Sequence, residues 1–461
     1  MATVNAPARS RLRTHEGGTA VAVPPLQALR RSVLTCLLWE NTFYEKGDTA
    51  GARIAALVAQ CTPEDVAALA IEARTQMQLR HVPLLLVREL ARVKGHGPLV
   101  ERTLRAVIQR PDEMTEYLAL YWKDGRCPVS AGSKRALRDA FGSFSRYQLA
   151  KYRESDKAVK LVDVLRLVRP APVGDEQAET YRQLRKGELV STDTWESELS
   201  AGKGKKETFE QLIQDKKLGA MATLKNLRNM QTAGVSDDLI RERLAAPMPR
   251  VWPYRYVTAA KYAPSLEDAL ETAMLAMLQS VADIAKLPGK TGLLIDVSGS
   301  MDYALSPRSK NASMTVFQRE MVAAPEETSR VDVAAGLAIL LREKADNVRI
   351  ATFSQSLVAV PPRRGFALRD AIKNSQMHGG TYLAGALKAL TAEWRDCDRV
   401  IVITDEQSHD GSAPAWTPNA YIINVASYEH GVGDHAGWTK IHGWSERVFD
   451  YIAASEASRA A

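Results

Sequence analysis

Four short aliphatic runs constrain this chain most: "TGLLIDVS" (291–298), "NVRIATFS" (347–354), "RVIVITDE" (399–406) and "AYIINVAS" (420–427). Each is rich in Ile, Leu and Val, without polar alternation. That is the pattern of a parallel strand buried on both faces. Helical stretches are expected between them at 330–345, 366–374 and 382–395, with a last helix over 444–454. Strands alternating with helices predict a doubly wound sheet, whose working edge lies at the carboxyl ends of its strands. Two of the runs stop at an acid there, Asp296 and Asp405.

The preceding residues follow a different grammar. "PLQALRRSVLTCLLW" spaces Leu26, Leu29, Val33, Leu37 and Leu38 three and four apart, as one face of a helix requires. Thr62 and Pro63 form a helix start, with a capping hydroxyl followed by proline at the first helical position. More helices are expected over 100–109, 111–122, 134–141, 145–152 and 157–167, and within "KETFEQLIQDKK", "LGAMATLKNLRNMQTAG", "SDDLIRERLA" and "SLEDALETAMLAMLQSVADIA". Short links and almost no β-alternation predict stacked helical pairs, an α-solenoid without a strict sequence period. The expected division is a flexible basic tail (1–24), a helical domain (25–288) and an α/β domain (289–461).

Composition narrows the class. With 45% hydrophobic and 25% charged residues the chain reads as soluble and globular, and it has no apolar run of 18 residues. Its N-terminus has no apolar core of the secretory kind. Cys36, Cys61, Cys127 and Cys397 are scattered, which predicts reduced core thiols in a cytoplasmic protein rather than a disulfide frame or zinc site. The net charge of +7 is uneven: residues 1–290 carry 44 Lys/Arg against 34 Asp/Glu, and residues 291–461 carry 17 against 20. A basic helical half attracts polyanions, of which nucleic acid is the commonest; uneven surface charge alone is the plainer account.

Asp296, Ser298 and Ser300 can turn a carboxylate and two hydroxyls to one point from a single loop. "HGGTYLAG" adds Thr381 just before a helix, and Asp405 adds a second carboxylate at another strand end. An all-oxygen set suits a hard divalent ion, most simply Mg²⁺, with water or a guest completing the shell. The five residues resemble the metal-ion-dependent adhesion site of von Willebrand A domains. Such a site takes an acidic group from a partner. Glu406, His409 and His378 are nearby in sequence but form no triad or carboxylate pair, so the histidines read as loop residues and catalysis is not expected.

Residues 80–153 hold 15 Lys/Arg and 7 Asp/Glu. Lys134, Arg135, Arg138, Arg146, Lys151 and Arg153 fall on two consecutive expected helices, interleaved with Phe144, Tyr147 and Tyr152. Cationic side chains bind phosphates and aromatic faces stack bases, so this is the candidate RNA face. A solvated surface beside core aromatics fits the same pattern equally well. A second cluster, Lys203, Lys205, Lys206, Lys216 and Lys217, reads as solvated surface.

From about residue 35 onward the chain resembles the TROVE family, the Ro 60 kDa autoantigen and its bacterial relatives. The resemblance rests on "ENTFYEKGD", on "RALRDAF" with "LAKYR" and "LVDVLRLVRP", on "LGAMATLKNLRNMQTAGV", and on "VWPYRYVTAAKYA", where Trp252 and Pro253 stand at the family's His-Pro. It implies HEAT-like repeats bent into a ring and closed by a C-terminal von Willebrand A domain. It also implies a ribonucleoprotein: small noncoding Y RNA on the outer basic face, single-stranded ends of defective RNA in the hole, and an exoribonuclease or another protein with an acidic residue as partner. A non-enzymatic, monomeric RNA scaffold is the expectation. Two departures qualify it. Lys160 and Leu161 stand where the family has a His near its Y-RNA contact, and the stretch 302–329 after the metal loop is long. A metal-dependent protein-adhesion scaffold without RNA, and an RNA-processing enzyme, are the alternatives.

Overall fold

A computed structural model describes residues 12–20, 24–34, 47–152, 157–190, 204–248, 251–280, 286–304, 327–426, 428, 430–432, 437–443 and 448–460. Arg153, Lys203, Cys36 and most of the 302–329 stretch lie outside the described residues.

The helical half opens with α1 (Pro25–Leu34), α2 (Gly47–Val58), α3 (Pro63–Thr75) and α4 (His81–Arg92), followed by α5 (Gly97–Val107) and α6 (Pro111–Tyr121). It continues with α7 (Ala131–Ser143), α8 (Arg146–Lys151), α9 (Leu161–Val168) and α10 (Asp175–Lys186). Starts are written in the sequence: the Thr62 hydroxyl accepts from Asp65 N with Pro63 next, and the Ser130 and Ser145 hydroxyls cap α7 and α8. Alternate helices pack in pairs, α3 on α5, α4 on α6 and α5 on α7, which is solenoid stacking. At Gly132 the approach of α7 to α5 is so close that a Cβ would collide with Gly97 O. One apolar core runs from Leu29 to Leu189.

Next come α11 (Lys205–Gln214), α12 (Ala220–Thr232), α13 (Asp237–Ala245), α14 (Pro253–Tyr262) and α15 (Glu267–Ser280). These helices share a single core with one face of the C-terminal sheet, from Phe209 through Ile452.

The sheet has six strands in the order β3-β2-β1-β4-β5-β6. They are β1 (Leu287–Asp296), β2 (Ala345–Phe353), β3 (Leu357–Val360), β4 (Arg399–Thr404), β5 (Ala420–Asn424) and β6 (Thr439–His442). All pairings are parallel except β2 with β3. Alternation sorts the strand residues: Leu293, Ile295, Ile401 and Ile403 face the core with α16 (Arg330–Lys344) and α17 (Gly365–Lys373). Leu294, Val400 and Val402 face the opposite core with α18 (Leu383–Glu393). The closing helix α19 (Val448–Ala460) returns to the first face.

The helical array both begins and ends on this sheet domain. α1 packs on β6, while α14 and α15 pack on α16. Arg31 of α1 donates to Glu406 at 2.7 Å with both side chains buried, and Lys440 of β6 also pairs with Glu406. At the other end Lys261 of α14 and Lys373 both pair with buried Asp332. An array fixed at both ends to one domain is a closed ring, as the resemblance implied.

Three expectations are corrected. Residues 12–20 are not a flexible tail; they form a turn hydrogen-bonded to the loop after β4, and Gly18, having no Cβ, lets the backbone approach Ser408 closely. Of the described cysteines only Cys397 is buried, while Cys61 is half-buried and Cys127 exposed. Phe144 is core, and Tyr152 lies under the Arg110 guanidinium (4.6 Å), so only Tyr147 is open to stacking.

Candidate metal centre and basic helical face

Strand order places the site. β1 lies between β2 and β4, and the connections leave it in opposite directions, so the crevice at the carboxyl ends of β1 and β4 is the topological switch point. Asp296 ends β1 and Asp405 follows β4 directly. The tight turn Gly299–Asp302 brings Ser298 and Ser300 back beside Asp296, with their hydroxyls 3.3 Å apart. Thr381 arrives on the loop before α18; Gly299 N donates to Gly379 O at 3.1 Å and binds the two loops together. All five predicted ligands are buried at this one edge.

The second layer orients the carboxylates. Ser298 N donates to Asp296 Oδ1 (2.9 Å) and Thr404 Oγ1 donates to Asp296 Oδ2 (2.6 Å). Gln407 N donates to Asp405 Oδ1 (3.2 Å), while Asp405 Oδ2 is buried without a hydrogen-bond partner. Burial, and then the neighbouring Asp405 charge, push the Asp296 carboxyl up to about 7. Burial also raises Asp405, against the pull of the Arg330 guanidinium. Two buried carboxylates that raise each other's cost of ionisation, one with an orphaned oxygen, suit a cation held between them. Among the described residues no group of three His, Cys, Asp or Glu side chains is placed to hold a metal. The donor set here is two carboxylates and three hydroxyls, which fits a hard ion better than a soft one.

Sequence reading missed three neighbours. Thr404 is the anchor of Asp296, hidden inside a strand pattern. His409, read as a loop residue, accepts the Thr381 amide at Nδ1 (3.0 Å). Glu16, nearly 400 positions earlier, lies 2.8 Å from His409 Nε2. Its only sequence signal is an acid beside a Gly-Gly pair in "RTHEGGTA". His378 binds Asp302 at 2.6 Å, and the rim nearby exposes Met377 and Tyr382.

The basic residues divide by partner. Arg135 is paired with Glu101 at 2.5 Å. Arg138 donates to Val168 O (2.9 Å) and Arg146 to Gln183 Oε1 (2.6 Å), both neutral oxygens, although the Arg146 charge also acts on the nearby Glu179 carboxylate. Lys134 and Lys151 are half-buried on α7 and α8. In the second cluster Lys206 pairs with Glu210 and Lys217 with Asp215, in keeping with solvated surface.

The TROVE domain family model matches residues 182–279. Telomerase protein component 1 of Rattus norvegicus and that of Mus musculus are 23% and 24% identical over 309 residues, 48% of this chain and 12% of each of those proteins. The chain thus matches only a small part of the length of these curated relatives. The crystal structure of the Deinococcus radiodurans Ro (RSR) protein shares the fold with a TM-score of 0.60 at 16% identity, covering 94% of this chain and 100% of that one. The TROVE match thus falls within the helical half, and the chain as a whole shares the fold of the Ro protein in that crystal structure.

Proposed function

We propose that this chain is a non-enzymatic RNA-binding scaffold of the Ro type. It binds small noncoding RNA and single-stranded RNA ends in RNA quality control, processing or decay, in the cytoplasm. The observation that carries the reading is ring closure: the helical array starts at Arg31 on Glu406 and ends at Lys261 on Asp332. A ring whose hole is narrower than a duplex, about 20 Å across, would admit only a single strand. The cations of α7 and α8 supply sequence-independent phosphate contacts, and Arg138 and Arg146 have no carboxylate competing for them at hydrogen-bond distance. Among the described residues no helix is long and apolar enough to cross a membrane.

In this reading the sheet domain is a von Willebrand A domain, and its metal centre holds Mg²⁺ on Asp296, Ser298, Ser300, Thr381 and Asp405. That centre serves an acidic protein partner, such as an exoribonuclease. The exposed Met377 and Tyr382 on its rim suit a protein surface better than RNA.

A gel-shift comparison tests the assignment. A hairpin with a single-stranded 3′ tail is expected to bind more tightly than its blunt counterpart, and EDTA leaves both affinities unchanged. Equal affinity for the two RNAs removes threading through the ring. Loss of RNA binding in EDTA overturns the separation of the metal from the RNA face.

A further inference from the structure

The turn at residues 12–20 closes on itself. Ala20 N donates to Leu12 O (2.9 Å), Thr14 N to Gly18 O (2.9 Å) and Gly17 N to Thr14 O (3.0 Å), with Gly17 at φ +85. Only glycine takes that backbone conformation without strain. The turn docks on the loop that carries Asp405. Thr14 Oγ1 donates to Ser408 O (2.8 Å) and His15 N to Gln407 Oε1 (2.8 Å), and the His15 ring packs edge-on against Tyr428 (5.5 Å). Gly18 sits so near Ser408 O that any Cβ there would collide with it. Gln407 in turn holds Asp405 Oδ1, so the turn and the ligand share one support.

Glu16 is at the tip of the turn. Thr381 N donates to His409 Nδ1 (3.0 Å), with Thr381 O 3.2 Å from the same nitrogen. On the far side of the ring His409 Nε2 lies 2.8 Å from Glu16 Oε2. A single imidazole therefore separates the Glu16 carboxylate from Thr381. The Glu16 charge also reaches Asp405, whose carboxyl it raises further.

We propose that this turn is the resident guest of the metal centre, with Glu16 as the acidic group the site takes in cis, so that an acidic partner protein must displace it. The inference rests on the metal reading above. Mg²⁺ wants about six oxygen ligands, and the five side chains leave room for one more. A bound dication and the Arg330 guanidinium beside Asp405 would offset the repulsion between Asp405 and Glu16. A tethered group competes at an effective concentration of about mM or more, which a free monocarboxylate must exceed to enter. His409 holds Glu16 at the rim of the site, one imidazole from Thr381.

The test uses the full-length chain and its Glu16→Gln, Gly18→Ala and Asp296→Ala variants. Mg²⁺ affinity is read by calorimetry, and hydrogen exchange at the Gly18 and Ala20 amides is read with and without Mg²⁺. In the unaltered chain Mg²⁺ is expected to slow exchange at both amides. Glu16→Gln is expected to weaken Mg²⁺ binding about tenfold, and Gly18→Ala to do the same while keeping the carboxylate. Both variants are expected to abolish the slowing. Acetate at about 50 mM, well above the tether's effective concentration, is expected to restore Mg²⁺ affinity in Glu16→Gln and, in the unaltered chain, to displace Glu16 and abolish the slowing of exchange. Unchanged Mg²⁺ binding in Asp296→Ala sinks the metal reading itself. Loss of binding there, with Glu16→Gln and Gly18→Ala both within about twofold of the unaltered chain and normal exchange slowing, overturns the inference and leaves the metal reading standing.

Discussion

Arg31 and Glu406, 375 positions apart in sequence, meet at 2.7 Å with both side chains buried, and so join the first helix to the loop after β4. Glu406 reaches this place in a left-handed backbone conformation, φ +62. Such a residue costs about 1–3 kcal/mol of strain unless its surroundings hold it there. Lys440 and the Tyr428 carbonyl, which accepts from Arg31 Nε at 2.8 Å, complete the clasp.

Breaking the clasp on one side leaves a buried charge. Arg31→Met is expected to cost about 1.5–3 kcal/mol, the range for a lost hydrogen bond to a charged group, because Lys440 still pairs with Glu406. The double variant Arg31→Met with Glu406→Gln should lose less than the sum of its singles. Thermal melts read the energy, and limited proteolysis should show α1 released from the sheet domain while the core from Phe209 to Ile452 stays protected.

The same clasp makes stability depend on acid. His442 is buried beside it; burial first, with the Arg31 and Lys440 charges working against Glu406, holds its imidazole down to about 3. The unfolded chain binds a proton at His442 near the ordinary value of 6.5, so the folded state is favoured fully above that pH. Its contribution is lost as pH falls from 6.5 toward 3, at up to about 1.4 kcal/mol per pH unit. Melts from pH 7.5 to 4.5 should show a decline that His442→Gln flattens.

Legibility in the sequence followed locality. The strand cores of β1, β2, β4 and β5 were plain because an unbroken aliphatic run belongs to a strand buried on both faces. β3 and β6 were not: each is a four-residue edge strand, "LVAV" and "TKIH", too short to stand out from loop. α10 was missed because its twelve residues are mostly polar and bury chiefly Thr180, Tyr181 and Leu184. The five candidate metal ligands were readable since three share one loop and the others end predictable elements. Glu16 was not, because its link to His409 spans the whole chain and no periodicity carries such a pairing. Charge on α7 was visible, but that Glu101 would take Arg135 and leave Arg138 with a neutral partner depends on packing between helices.

Relieving the paired carboxylates should separate stability from metal binding. Asp405→Asn removes the charge that raises Asp296 while keeping an oxygen for the Gln407 amide. In EDTA this variant is expected to melt a few degrees above the unaltered chain, on the order of 1 kcal/mol for a domain of this size. Calorimetry should show that it no longer binds Mg²⁺. A lower melting temperature in EDTA would mean that Asp405 holds the fold rather than a cation.

The last prediction concerns the basic face, where pairing sets the rank of each residue. Arg135 already spends its charge on Glu101, and an exposed pair of that kind competes with phosphate for the same guanidinium. Arg138 and Arg146 give their hydrogen bonds to uncharged oxygens and can accept a phosphate without losing an ion pair. Arg135→Ala should therefore weaken RNA binding less than Arg138→Ala does. The triple variant Lys134→Ala, Arg138→Ala and Arg146→Ala should reduce the log–log salt slope by about 2 units on single-stranded RNA, roughly 0.7 for each phosphate no longer neutralised. It should cost about 1–2 kcal/mol in stability, since the bonds to Val168 O and Gln183 go with the charges. Filter binding between low and moderate salt, beside a melt of each variant, separates the two effects: an unchanged slope in a folded triple variant would make α7 and α8 a solvated surface and move the RNA to another face of the ring.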